Sequence, residues 1–282
     1  MSLKRLMTLA APILALLVTG TVLAGEKTYT FGVLNQRNPV LTAQYWNPIL
    51  KYVSAKSGVA LQLQMGKNVQ ETDGMTERGE FDFIFSNHIF MPHIAKTGYR
   101  VIARPAGGPI QGQIVVLEKA PIHALKDLEG REIAFPSETA FVAYAVTMDA
   151  LQRQGIQVKP VFAGNQEGVM GQLKAGRVPA ASVNSEIMRE FARREQIQYR
   201  VLWASEKFDD MPIAVHRRMG KNQVKAVQEA LVTMASDPEG LQVLQTSAAV
   251  ISQRPPLGFV PATDRDYMNQ RNFYRTTRLK GF

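Results

Sequence analysis

The side chains with the most chemical promise are hydroxyls, amides and carboxylates that stand just after short apolar runs. Ser137 and Thr139 follow the run 132–135, where a helix is expected to begin. A helix amino end offers unpaired N–H groups and the positive end of a dipole, so it can hold an oxyanion without Lys or Arg. Ser137 either touches such an anion or only caps the helix. Asn184, Ser185 and Glu186 repeat the arrangement after the run 180–183. Asn35 and Gln36 follow the run 29–34, Ser86, Asn87 and His88 follow 81–85, and Gln111 and Gln113 flank a Pro- and Gly-rich stretch. Asn165 closes an Ala-Gly turn, and Asp210 lies in a polar break. Neutral amides and hydroxyls orient a solute without a full buried charge to desolvate, so the expected chemistry is reversible binding in a cleft. For each of these positions, pairing with backbone or water is the alternative.

Other chemistries find less support. The chain has no cysteine, which excludes a disulfide framework, a thiolate zinc site and a thiol nucleophile. His88 and His93 are five apart, a poor spacing for two ligands on one helix face, and His123 and His216 lie in other segments. No nucleophile elbow, phosphate-binding P-loop or His-Glu-x-x-His stands in the sequence. The expectation is a binding protein without cofactor or metal, not an enzyme.

The elements that must position these residues alternate. Residues 29–34 read as a strand, 41–56 as a helix stopped by Gly58, and 59–65 as a strand. Then come a short helix at 70–78, a buried strand at 81–85, a helix at 89–97 ended by Gly98, and a strand at 99–103. The rhythm resumes with strands at 114–117 and 132–135, a helix at 138–154, a strand at 158–162 and a helix at 166–175. A strand at 180–183, a helix at 185–195 and a strand at 199–203 complete it. Such alternation predicts mostly parallel sheets covered by helices. Tyr45, Trp46 and Tyr52 fit either a cleft wall or a helix packed on its sheet, with the second favoured.

Two breaks divide the series, 104–112 and 204–212, with roughly 100 residues between them, a domain's worth. The expected architecture is α/β and two-lobed: residues 25–104 with 213–282 form a discontinuous lobe, and 105–212 form an inserted one joined by two hinge crossings. A single larger sheet with a long insertion is the alternative. Solutes then bind between the lobes at the carboxyl ends of strands.

At 45% hydrophobic and 20% charged residues, the 282-residue chain is neither disordered nor a multispan membrane protein. Residues 1–24 read as a cleaved secretory signal: Lys4 and Arg5, an apolar stretch, then small residues up to Ala24. A membrane anchor is the alternative, but about 17 apolar residues broken by Pro12 and Gly20 are at the short limit for spanning. Loss of Lys4 and Arg5 reduces 33 basic residues to 31 against 24 acidic, so the formal charge of +9 becomes +7. An exported protein does not normally meet nucleic acid. The basic residues Arg189, Arg193 and Arg194, interleaved with Glu190 and Glu195, read as a solvated or docking face, as does the tail from Arg271 to Lys280.

Residues 79–87 (GEFDFIFSN), 120–130 (APIHALKDLEG), the run 133–139, the turn 163–165 and the triplet 184–186 occur in that order. Together they resemble the periplasmic solute-binding proteins of phosphate, phosphite and phosphonate ABC transporters, the PhnD-like group, over nearly the whole mature chain. The resemblance implies a type 2 periplasmic binding protein that closes over a small anionic or zwitterionic solute and presents it to a permease. Delivery of ligand state to a membrane sensor kinase is the alternative, and a monomer is expected. The family pattern Ser-Thr-Ser-Gly becomes Ser137-Glu138-Thr139-Ala140 here, with Glu138 expected to face solvent. Asn165 replaces a His of phosphonate-binding relatives, Val69 a Tyr, and Met211 an Asp, with Asp209 and Asp210 just before it. Glu186 matches an acidic residue that pairs with the ligand amine in amino-phosphonate binders; a first-turn carboxylate is the other reading.

Overall fold

The computed structural model describes residues 27–280, so the expected signal segment 1–24 lies outside the described residues. The first lobe opens with β1 (Tyr29–Val33), α1 (Pro39–Ser57), β2 (Leu61–Gln64), α2 (Val69–Glu77), β3 (Phe83–Phe85) and β4 (Tyr99–Pro105). Helix α1 begins where the Asn38 side chain accepts the Leu41 amide at 2.9 Å and Pro39 sits in a first turn that needs no N–H from it. It stops at Gly58, whose φ of 68° suits a residue without Cβ. The helix expected over 89–97 is reduced to two 3-10 turns, His88–Phe90 and Ala95–Thr97. Pro92 between them has no amide to continue a helix.

The second lobe carries β5 (Gly112–Leu117), β6 (Glu132–Phe135), α3 (Thr147–Arg153), β7 (Lys159–Phe162), α4 (Gln166–Lys174), β8 (Ala180–Asn184), α5 (Ser185–Glu195) and β9 (Tyr199–Ala204). The helix expected from 138 begins later, as a π-helical turn Phe141–Val146 that leads into α3. The chain then returns through β10 (Ile213–His216), α6 (Lys221–Val232), α7 (Pro238–Ile251), β11 (Phe259–Pro261) and α8 (Met268–Thr276).

Two sheets result, ordered β11-β4-β10-β3-β1-β2 and β7-β6-β8-β5-β9. β1 is parallel to β2 and β3, and β6 to β7 and β8. β10 is antiparallel to β3 and β4, and β5 to β8 and β9. The sheets are therefore mixed, not mostly parallel. A strand entering straight from the other lobe starts at the cleft edge, where strands fed by helices end, so it runs the opposite way. The two crossings hold each other: the Ile110 amide donates to the Phe208 carbonyl at 2.8 Å, and the Phe208 amide returns a bond of 2.9 Å.

Each sheet is sandwiched by apolar side chains. Phe31, Trp46, Ile49 and Val53 pack on one face of the first sheet. Phe81, Ile84 and Val101 on the other share a cluster with Ile110, Phe141 and Phe208. The second lobe has Val115, Val169 and Phe191 on one side and Ile114, Phe135 and Leu151 on the other. Each such burial contributes about 1.5–3 kcal/mol before the cost of ordering. The tail is tied to α3, where Asp149 accepts from the Thr277 hydroxyl at 2.9 Å and the Arg278 amide at 2.8 Å.

Candidate functional site

Strand ends and helix starts from both lobes converge on the cleft. Asn capping starts four of these helices: Asn38 for α1, Asn68 for α2, Asn165 for α4 and Asn184 for α5. The turn beginning at Phe141 differs. Its cap position is Ala140, which gives no side-chain bond, so its first amides keep their donors for another acceptor. Pro136, Ser137 and the turn 140–143 line a cavity, about 410 Å³ with its open mouth included, that has Asn35, Gln36, Asn87, His88, Gln166 and Asn184 as polar walls. Leu34, Val69, Ile110 and Phe141 make its apolar side, and neither Lys nor Arg lines it.

A second cavity, about 440 Å³ with its open mouth included, shares Gln36 and Asn184 with the first. Arg37, Glu186, Glu190 and Asp210 supply its charges, and Tyr45 and Trp46 its aromatic faces. Arg37 of the first lobe pairs with Glu190 of α5 across the cleft. Burial holds the Glu190 carboxyl above its ordinary range even with that guanidinium against it. The Asp210 carboxylate accepts the Met211 amide at 2.7 Å, its backbone carbonyl accepts the Tyr267 hydroxyl at 2.6 Å, and burial pushes the carboxyl up to about 6.

The lobes also meet at Asp73 of α2. Its carboxylate accepts the Thr139 hydroxyl at 3.0 Å and lies 2.6 Å from His88 Nδ1. Thr139 Oγ1 is in turn 3.3 Å from Ser137 Oγ. The Gln166 amide donates to the Gln36 carbonyl at 3.0 Å.

Of the candidates drawn from sequence, Asn35, Gln36, Asn87, His88, Ser137 and Asn184 line the first cavity, and Gln36, Asn184, Glu186 and Asp210 the second. Several spend their polar atoms inside the protein. Asn35 donates to the Gly66 carbonyl at 2.9 Å and accepts from Thr72 at 2.6 Å. Asn184 caps α5, and Glu186 pairs with Arg189 and, at 3.8 Å, with Arg193.

Ser86, Gln111, Gln113, Thr139, Asn165 and Ser185 line neither cavity. The Ser86 hydroxyl accepts the His88 amide, Ser185 and Gln111 bond each other at the crossing, and Asn165 accepts the Gly168 amide. Gln113 Oε1 is buried without a hydrogen-bond partner among the described residues, and the structure offers no account of it. Ser137 does not cap the helix, because the helix starts four residues beyond it, after Ala140. Glu138 is exposed.

Sequence reasoning missed Arg37, Asp73, Gln166 and Glu190 as cleft residues. Glu190 is four beyond Glu186 and so shares its helix face, a spacing that marks the position. The helix bearing it is therefore not a merely solvated face: Glu190 is 2% exposed, and Arg193 donates to the Ser252 carbonyl. Asp73 sits inside α2 with no local signal. Tyr52 belongs to the core, whereas Tyr45 and Trp46 also face the second cavity.

Solved structures with this architecture include PhnD1 from Prochlorococcus marinus in complex with methylphosphonate, at 15% identity and a TM-score of 0.73, covering 89% of this chain and 98% of that one. A binding protein component of an ABC phosphonate transporter from Pseudomonas aeruginosa is 14% identical, with a TM-score of 0.76 over 88% of this chain and 85% of its own. A Xanthomonas citri protein bound to ATP is 15% identical, with a TM-score of 0.67 over 88% and 97%. These likenesses establish the type 2 periplasmic-binding-protein fold. No curated protein matches the chain by sequence. The family described as "ABC transporter, phosphonate, periplasmic substrate-binding protein" matches residues 31–267, nearly the whole of the two lobes, and the chain belongs to that family.

Proposed function

We propose that the chain binds a small phosphonate-class oxyanion in the first cavity, with the anionic head against Ser137 and the free amides that open the Phe141 turn. The observation that carries this reading is the missing cap. Four helix starts around the cleft have their amides engaged by Asn side chains, and the one beginning at Phe141 does not. Free amides at a helix start favour an anion. Gln36, Asn87, His88, Gln166 and Asn184 offer polar contacts around the head, and the apolar side suits a carbon substituent. Lobes at 25–104 with 213–282 and at 105–212 close about the two crossings, and the closed monomer presents the solute to an ABC permease after its signal has been removed. A permease is preferred to a sensor kinase as receptor because the family is that of transporters.

Isothermal titration of the purified protein with methylphosphonate, phosphite, phosphate and sulfate tests the reading. Saturable binding of a phosphonate, weakened when Ser137→Ala removes the hydroxyl set against its anionic head, is the expected result. Sulfate binding as tight as any phosphonate, or no binding of any oxyanion, would overturn it.

A further inference from the structure

The second cavity holds an unusual pair of groups. Arg37 is its one lining cation, and although one terminal nitrogen pairs with Glu190, Nε is buried with no hydrogen-bond partner among the described residues. Asp210 lines the same cavity with no ion-pair partner among those residues. Glu186 and Glu190 are already matched, the first by Arg189 and Arg193, the second by Arg37. One guanidinium N–H therefore lacks an acceptor, and one carboxylate lacks a cation. Tyr45 and Trp46 line the same cavity, and aromatic rings suit a cationic group.

The two cavities adjoin at Gln36 and Asn184, so an occupant of the first long enough to pass these side chains would reach the second. A lone ammonium there would satisfy Asp210 and leave Nε orphaned. A lone carboxylate would reach Nε but would add a further negative group beside Glu190 and Asp210. An aminocarboxylate answers both, placing its ammonium on Asp210 and a carboxylate oxygen on Arg37 without changing the net charge of the cavity.

We infer that the second cavity is a subsite for an amino-acid end group, with Arg37 as its specificity-determining donor, so that the solute class is a phosphonate bearing a distal α-amino acid. This rests on the reading that places the phosphonate head in the first cavity. The orphaned donor also gives Arg37 a role that Lys cannot fill, since a guanidinium presents N–H groups in a fixed fork.

Titration calorimetry on the full chain with four probes tests it: methylphosphonate, 2-aminoethylphosphonate, 3-phosphonopropionate and 2-amino-4-phosphonobutyrate. The last is expected to bind at least about tenfold tighter than each of the others, the scale of a charge-assisted hydrogen bond. Arg37→Met and Arg37→Lys are expected to shrink its advantage over 2-aminoethylphosphonate to within about twofold. Asp210→Asn should do the same to its advantage over 3-phosphonopropionate, with circular dichroism melts confirming that each variant is folded. Equal affinity for 2-amino-4-phosphonobutyrate and methylphosphonate, or an advantage that survives Arg37→Met, overturns this subsite alone. Failure of all four to bind overturns the reading of the first cavity and this subsite with it.

Discussion

Gly112 stands where the first crossing enters β5, and the turn that opens the first cavity lies directly on it. A Cβ at this position would sit 2.1 Å from the Val142 carbonyl oxygen, whereas real Cβ atoms essentially never come within 3.0 Å of a neighbour. Gly112→Ala therefore forces the strand and the turn apart by about 0.9 Å, and backbone on both sides leaves no side chain to swing away. Overpacking of this kind costs about 1–3 kcal/mol. At about 2–4 °C per kcal/mol for a protein of this size, the thermal midpoint should fall by about 2–12 °C. The same displacement moves the amides proposed to hold the anion, so phosphonate affinity should fall with it. Gly107→Ala and Gly108→Ala are controls in the same crossing, because a Cβ at either meets nothing within 4 Å. They should stay within about 0.5 kcal/mol of the parent. Differential scanning calorimetry and titration calorimetry on the three variants decide the matter. A Gly112→Ala protein with the parent's midpoint and affinity, or one indistinguishable from the Gly107 control, would refute the close-approach reasoning.

Other consequences follow from the cleft. Glu190→Ala strands the Arg37 guanidinium in a buried setting, so it should destabilise by about 3–5 kcal/mol, and Glu190→Gln by less; chemical denaturation measures both. Asp210 titrates near 6 when folded against 3.8 in its ordinary state, so the folded protein holds the extra proton between those values. The contribution of this one group to stability is greatest below about pH 4, falls by at most about 3 kcal/mol as pH rises to about 6, and is then level. Asp210→Asn should abolish that slope and gain over the parent at pH 8 but not at pH 4, as thermal melts across pH would reveal. Asp73→Ala removes the acceptor shared by Thr139 and His88, at a cost of about 1–3 kcal/mol, and should weaken phosphonate binding at least about fivefold in calorimetry. Unchanged affinity would mean that this contact takes no part in closing the lobes on a solute.

Local signals carried the fold far. The helix starts expected at 166 and 185 are those of α4 and α5, where each cap is a contact between near neighbours: Asn165 with Gly168, Asn184 with Glu186. The same locality misled at 138–139, whose residue types invite a helix that the structure delays to Phe141. It misled again at 89–97, where a single proline outweighed the apolar spacing.

By itself the sequence determined the α/β rhythm, the two crossings, the freedom from thiol chemistry and the strand ends at which a cleft would form. Only the tertiary structure decided which side chains meet there. Arg37 and Glu190 are 153 residues apart and Thr139 and Asp73 are 66 apart, each pair spanning the two lobes. Such partners share no spacing that a helix or strand could impose. They are selected when two separately packed lobes close and every buried charge must find a counter-charge or a hydrogen bond.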